Sequence, residues 1–330
     1  MTPTVSIVMA AKNYARFLPM AVESVRAQTF ADWELLIIDD GSSDETPQAV
    51  RRFLLDSRIE YFCSDRLGQS RAKNLGIGLS RGEFVAFLDA DDAWHPTKLE
   101  KQLAVFSVGR AEPDTPRPAQ ATSGTARPTS ELGVVFCRRS LIDESGRLLV
   151  AKPPAAIPSG RVLPAMFVQN FVCFSSVLVR REVFSHVGSF DPHLDLAVDF
   201  DLWLRVAKHY SFDFVDEELV LYRTGHGNLS KKLSDRVATA FSIMHRAETR
   251  YGAKDEVPPR ALAEGYASTC RTIGYVMRAS EPETAVKWYL RALRWPNGRP
   301  ISVKGLAASV LAMLLGKRVP GAAENATVNV

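Results

Sequence analysis

The sequence has no Cys-x-x-Cys pair. Its four cysteines, Cys63, Cys137, Cys173 and Cys270, lie far apart, and no histidine stands at zinc-finger spacing from them. This argues against a disulfide framework and a structural zinc site, and points to buried free thiols in a reducing cytoplasm. The chain also lacks an apolar run of the roughly 20 residues that cross a bilayer. Val5 to Ala11 is cut short by Lys12 and Asn13, and Gly305 to Gly316 is the longest candidate. No secretory pattern opens the sequence. Charge of one sign is missing too. The 41 Lys+Arg against 37 Asp+Glu leave a net +4, which is no nucleic-acid footprint. Finally, Ala10 to Arg16 lacks the glycine-rich basic loop that a nucleotidyltransferase building a sugar nucleotide would need after its first strand.

What is present is ordinary globular composition, 46% hydrophobic and 24% charged, enough for a sizeable core. Apolar strands alternate with helices through the first hundred residues. Strands are expected at Val5–Met9, Glu34–Ile38, Ile59–Phe62 and Glu83–Leu88, and helices at Leu18–Ala27 and Ser70–Ser80. Ser42-Ser43-Asp44-Glu45 offers a capping box for a further helix to about Leu55. Near-continuous apolar strands of this kind predict an α/β fold with a mostly parallel sheet and helices on both faces.

Arg110 to Glu131, with Pro113, Pro116, Pro118 and Pro128, reads as a flexible surface insertion. Beyond it come strands at Leu132–Arg138, Phe212–Val215 and Leu219–Tyr222, and a helix at Asp199–His209. From Leu233 onward the pattern is helical, with a disordered tail over the last dozen residues. The expected organisation is one domain over 1–230 and a helical C-terminal region over 231–330.

In an open α/β sheet, ligands bind outside the carboxyl ends of the strands. That rule selects Ala10-Ala11-Lys12-Asn13, Asp39-Asp40-Gly41-Ser42 and Asp89-Ala90-Asp91-Asp92. Adjacent carboxylates repel and call for a compensating cation or donors. A turn and helix N-cap accounts for part of Asp39-Asp40. The triplet after the fourth strand points to a hard divalent cation, Mg²⁺ or Mn²⁺, shared with substrate phosphates. Arg66, Arg71 and Lys73 stand on the same sheet edge, either as phosphate or base contacts or as a solvated helix face.

These residues carry a resemblance. Val5-Ser6-Ile7-Val8, Asn13, Gln28-Thr29-Phe30, Trp33-Glu34, Asp39 to Thr46, Gly68, Ala72, Asn74, Phe87 to Asp92 and Lys98-Leu99-Glu100 together resemble family 2 glycosyltransferases of the GT-A fold. The match returns at Asn170–Arg181, Gly188–Arg205 and Leu221 to Ser230. The resemblance implies inverting transfer from a nucleotide-diphospho sugar, UDP-linked by preference, to a saccharide or lipid-linked saccharide acceptor. It places Ala10, Lys12, Asn13, Asp40, Lys73, Asp89 and Ala90 on the nucleotide sugar, and Asp91 with Asp92 on the Mn²⁺ or Mg²⁺ ion. His226 would contact the diphosphate or metal, or be structural. Asp199 would be the catalytic base, its other reading being a helix N-cap.

The sequence also departs from the family. Val198 replaces the acidic neighbour of Asp199, Ala10-Ala11-Lys12-Asn13 replaces Pro-x-Tyr-Asn, and Lys73 replaces an arginine. Val198, Ala10 and Lys12 support the rival reading, a degenerate, non-catalytic nucleotide-sugar-binding partner of another transferase. The apolar segment Ile301–Leu315 has basic flanks, and suggests peripheral contact with the inner face of the membrane. The alternative is that Leu306, Val310, Met313 and Leu314 pack on the preceding helices as core.

Overall fold

Hydrophobic periodicity resolves into alternating strands and helices. The computed structural model describes residues 2–108, 132–150, 156–225, 233–296 and 298–315. Its elements are β1 (Val5–Ala11), α1 (Leu18–Arg26), β2 (Trp33–Asp39), α2 (Thr46–Arg51), β3 (Ile59–Cys63), α3 (Gln69–Leu79), β4 (Phe84–Phe87), β5 (Ala93–Trp94) and α4 (Lys98–Val108). They continue with β6 (Leu132–Ile142), β7 (Leu148–Leu149), α5 (Leu163–Val168), β8 (Leu178–Arg180), α6 (Arg181–Val187), α7 (Val198–His209) and β9 (Ser211–Arg223). Four helices close the described chain: α8 (Leu233–Thr249), α9 (Pro259–Met277), α10 (Pro282–Ala292) and α11 (Arg299–Leu315). The proline-rich insertion, His226 and the tail expected to be disordered lie outside the described residues.

Contacts divide the described chain into two compact units. The first takes residues up to 161, then 172–195 and 209–226; the second takes 162–171, 196–208 and the residues after 226. The segment carrying Asn170 and the part of α7 carrying Asp199 thus group with the later helices.

The first unit holds a nine-stranded sheet in the order β3-β2-β1-β4-β8-β6-β9-β5, with β7 paired to β6. β3, β2, β1 and β4 run parallel. Beyond them the pairing mixes: β8 is antiparallel to β4 and β6, β5 is antiparallel to β9, and β6 is parallel to β9. β1 and β2 are apolar on both faces because both faces are covered. Ile7, Met9, Leu35 and Ile37 join the core formed by Leu18, Val22 and Val25 of α1. On the opposite face Leu36 and Ile38 pack with Ala72 of α3. A Cβ on Gly76 would lie 2.3 Å from Val8 Cγ1, so α3 sits on the sheet only because that residue has no side chain.

Three expectations change. The capping box does not form: Glu45, the N-cap of α2, makes no side-chain cap bond, and α2 gives way to a 3-10 turn at Arg52–Leu55. Its residues instead tie loops together, with Asp44 accepting from Thr46 N–H at 2.9 Å and Ala15 N–H at 3.1 Å. The two short strands after Phe212 are one strand, β9, paired with β6 across a register shift at Asp216 and Glu217. The extra residues are held outward by ion pairs from Arg138 to Asp216 and from Lys101 to Glu217. Third, α11 does not bury its large apolar side chains. Its packed side is Ser302, Gly305 and Ser309, and a Cβ on Gly305 would meet Tyr289 of α10 at 2.2 Å. Val310, Met313 and Leu314 are exposed, so the core role expected for them is not realised.

Candidate active site

The carboxyl ends of β1, β2 and β4 bring three loops together in the first unit. Asn13, in the left-handed region at φ 62°, ties the first to the second. Its N–H donates to Ser42 Oγ at 2.8 Å, and its Oδ1 accepts from Ser43 N–H at 2.8 Å. Asp39 is fully buried and accepts from Ser42 N–H at 2.8 Å and Tyr61 O–H at 2.5 Å. The adjacent carboxylate, Asp40, turns the other way. It pairs with Lys12 Nζ at 3.3 Å and accepts from Gly68 N–H at 3.2 Å, just before α3 begins.

Lys73 of α3 is buried. Its ammonium lies 3.9 Å from the Phe174 ring centroid and 3.8 Å from Asp89 Oδ1. Next to it, Asn74 fixes the loop at Phe190 by a reciprocal pair of hydrogen bonds, 2.8 and 2.9 Å.

The acidic turn after β4 is braced from both sides. Asp92 is 1% exposed, and both of its carboxylate oxygens are engaged: Oδ2 accepts from Ser175 O–H at 2.6 Å and Oδ1 from Arg223 N–H at 2.9 Å. Ser175 Oγ also accepts the Asp89 N–H at 3.1 Å, and Arg223 Nε donates to the Asp91 carbonyl at 2.9 Å. Burial, and then the charges of Asp91 and Asp89, push the Asp92 carboxyl well above the usual carboxylate range. Ala90 packs inward among the core residues. The Tyr14 hydroxyl is raised by burial and by the charges of Asp91, Asp89 and Asp92, so it stands beside the same cluster. Among the described residues, no three His, Cys, Asp or Glu side chains converge as a protein-only metal cage.

In the second unit Asp199 lies inside the first turn of α7 rather than at its N-cap. The turn is entered through Ala197 at φ 51°, a conformation that strains a residue with a Cβ. Asn170 Nδ2 donates to Asp199 Oδ2 at 2.9 Å. Val198 is buried. Asp201, two residues on, is fully buried and paired with Arg205 at 3.0 Å and with Arg246, so its carboxylate is structural. His226 lies outside the described residues.

Sequence reasoning missed Tyr14, Ser175 and Arg223. Ser175 and Arg223 stand about 80 and 130 residues beyond the turn they brace, a separation at which no spacing signal operates. Tyr14 follows the Asn13 of the recognised loop and supplies an aromatic near the position where the family's tyrosine is absent.

The description "Glycosyl transferase family 2" matches residues 6–147. An uncharacterised glycosyltransferase of Methanocaldococcus jannaschii is 26% identical over 226 residues, covering 67% of this chain and 71% of its own. An Escherichia coli protein named UDP-Glc:alpha-D-GlcNAc-diphosphoundecaprenol beta-1,3-glucosyltransferase is 41% identical over 103 residues, 31% of this chain and 40% of that protein. Solved structures share the fold at low identity. Staphylococcus aureus TarS 1-349 in complex with UDP gives a TM-score of 0.57 at 14% identity, covering 95% of this chain and 92% of that one. A mannosyltransferase from Pyrobaculum calidifontis with GDP-Man and Mn²⁺ gives 0.58 at 17%, covering 96% and 88%. The fold is that of GT-A glycosyltransferases, and residues 6–147 of the chain match glycosyl transferase family 2.

Proposed function

We propose that the protein transfers a glycosyl group from a nucleotide-diphospho sugar, with UDP as the nucleotide, to an acceptor hydroxyl with inversion, in cell-surface polysaccharide or glycolipid biosynthesis. The reading is carried by the acidic turn after β4, where Asp89, Asp91 and Asp92 stand together on a loop fixed by Ser175 and Arg223. UDP is the nucleotide bound in the TarS structure and named in the E. coli relative, which supports the choice.

The turn fits a divalent cation. It offers only oxygen donors, its carboxylates crowd one another, and Lys73 stands beside Asp89. Mn²⁺ or Mg²⁺ would be held by Asp91, with Asp92 as neighbour; when bound, the ion offsets the charge on the departing diphosphate. Lys73 adds a fixed positive charge on the Asp89 side. Asp40 accepts from the base, the Ala10 and Lys12 backbone flanks the nucleotide with Asn13 beside it, and Asp89 borders the sugar with the Ala90 backbone, the Ala90 side chain being packed in the core. His226 would contact the diphosphate.

Asp199 accepts the acceptor's hydroxyl proton as that oxygen forms the new bond to the anomeric carbon. The bond to the diphosphate oxygen breaks on the opposite face and takes its electron pair with it. Asn170 fixes the Asp199 carboxylate for this step.

The test is a panel of UDP-, GDP- and dTDP-sugars with Mn²⁺, read as nucleotide binding and as sugar release. Cation-dependent turnover of one donor is expected. Binding without any turnover, with or without acceptor extracts, would favour the rival non-catalytic partner.

We also infer peripheral contact with an anionic membrane surface through α11. Ile301 is 63% and Leu314 78% exposed, and Val303, Val310, Leu311 and Met313 are exposed with them. From Thr284 to Ala323 the sequence has seven cations and no acid, namely Lys287, Arg291, Arg294, Arg299, Lys304, Lys317 and Arg318. Exposed apolar side chains with cations around them suit the boundary between acyl chains and anionic headgroups. Among the described residues, no helix is long and apolar enough to cross a membrane.

A further inference from the structure

The second unit contains a cavity of about 180 Å³ walled by Asn170 and Asp199, by Arg236 of α8, and by Ser268 and Thr272 of α9. Three features mark it as a binding site. Asp199 stands in its wall with one oxygen already oriented by Asn170. Ser268 and Thr272, one helical turn apart on α9, present hydroxyls that have no partner among the described residues. Arg236 is half-buried and, among the described residues, has neither an ion-pair nor a hydrogen-bond partner. A guanidinium held in a wall of a cavity, with no carboxylate bonded to it, is matched by an oxyanion that takes two of its N–H groups.

We propose that this cavity is the acceptor subsite and that it takes a phosphorylated saccharide, with Arg236 on the phosphate, Ser268 and Thr272 on sugar hydroxyls, and the reacting hydroxyl toward Asp199. The inference rests on the transferase reading above and adds the acceptor's chemical class. Discrimination follows from the site's own polarity. A neutral sugar leaves the Arg236 charge half-desolvated and unpaired, whereas a phosphate monoester or diester satisfies it. The phosphate can belong to a soluble sugar phosphate or to a lipid-linked one, the shared group being the phosphate next to the first sugar.

The test uses the full chain and calorimetric titration with four probes: inorganic phosphate, N-acetylglucosamine 1-phosphate, its decyl phosphodiester, and N-acetylglucosamine. At least one phosphorylated probe is expected to bind ten-fold or more tightly than the neutral sugar. Arg236→Gln is expected to remove that preference, and Ala240→Trp, which fills the cavity wall, to weaken the phosphorylated probe ten-fold. Monoester binding equal to or tighter than diester binding assigns a soluble acceptor; tighter diester binding assigns a lipid-linked one. Equal affinity for phosphorylated and neutral probes, no binding of any of them, or an unchanged preference in Arg236→Gln would overturn the proposal. UDP affinity with Mn²⁺ is measured on the same samples. Retained UDP binding with failed acceptor probes rejects only this inference, whereas absent UDP binding with intact probe binding rejects the transferase reading.

Discussion

Ser175 donates its hydroxyl to Asp92 at 2.6 Å while accepting the amide of Asp89, so one side chain sets both ends of the acidic turn. Asp92 is thus braced on both carboxylate oxygens, with the buried Asp91 and the half-exposed, Lys73-paired Asp89 beside it, and the proposed reading gives the ligand-facing role to these two. Asp91→Asn should lower Mn²⁺-dependent UDP affinity at least ten-fold with little change in melting temperature. Ser175→Ala should remove a bond to a buried carboxylate, costing roughly 1–3 kcal/mol, and lower the melting temperature by several degrees. Titration of UDP with and without Mn²⁺, beside thermal melts of both variants, checks these roles; the reverse pattern would make Asp92 the ligand-facing group.

Asp199 and Asp201 are two residues apart on α7 and should behave as opposites. Asp199→Asn should keep UDP affinity and lose on the order of 10²–10⁴-fold in transfer rate, the usual effect of removing a general base. Asp201→Asn should instead destabilise, because Arg205 and Arg246 are left with a neutral partner; breaking a buried pair costs roughly 3–5 kcal/mol. Transfer assays and urea denaturation on both variants separate the roles.

Lys98 gives a pH prediction. It is fully buried, with Nζ donating to Gln102 Oε1 at 2.7 Å and lying over the Trp94 ring, and burial pulls its pKa down to about 8. The unfolded lysine titrates near 10.4. Below about pH 8 both states carry the proton and the burial penalty is fully present. Between about 8 and 10.4 the folded protein releases it first, so this group's contribution to stability rises with pH. The rise totals on the order of 3 kcal/mol, about two pKa units. Lys98→Met should lack it, so the variant's stability relative to wild type should fall between pH 7.5 and pH 10. A pH-independent difference in urea melts would contradict this.

Of the four cysteines Cys63, at the end of β3, is exposed, whereas Cys137, Cys173 and Cys270 are buried. Burial pushes the Cys137 and Cys270 thiols up to about 12 and that of Cys173 to about 11. Reaction with a disulfide reagent at pH 7.5 should modify one thiol per native chain, and none in Cys63→Ser. Rapid reaction of two or more would show that the cores around the others open.

For α11, vesicles of phosphatidylcholine with 30% phosphatidylglycerol should retain the protein, and pure phosphatidylcholine should retain far less. Leu311→Asp with Leu314→Asp should abolish retention, since both side chains are largely exposed and a melting curve of the variant checks that the helix stays packed. Equal recovery of wild type and variant in the supernatant would reject the contact.

Local pattern determined much of this protein. The apolar runs at Val5, Glu34 and Phe84 fixed β1, β2 and β4, because strands buried on both faces need unbroken hydrophobic sequence. Carboxylates at two strand ends located the candidate donor loops, because side chains at a strand's carboxyl end are the ones an open sheet presents to a ligand. Tertiary structure decided the rest. Ser175 and Arg223 became the braces of the acidic turn only when β9 and the segment before β8 folded onto it. The residues of the capping box took loop-tying roles because Asn13 and Ala15 offered competing partners. Asp201, two residues from Asp199, is assigned its structural role by Arg246, 45 residues on, which no local pattern shows. The amphipathic spacing of α11 fitted a core or a surface equally well. Ser302, Gly305 and Ser309 decided it, because close approach to Tyr289 admits only small residues on that side and leaves the large apolar ones outward.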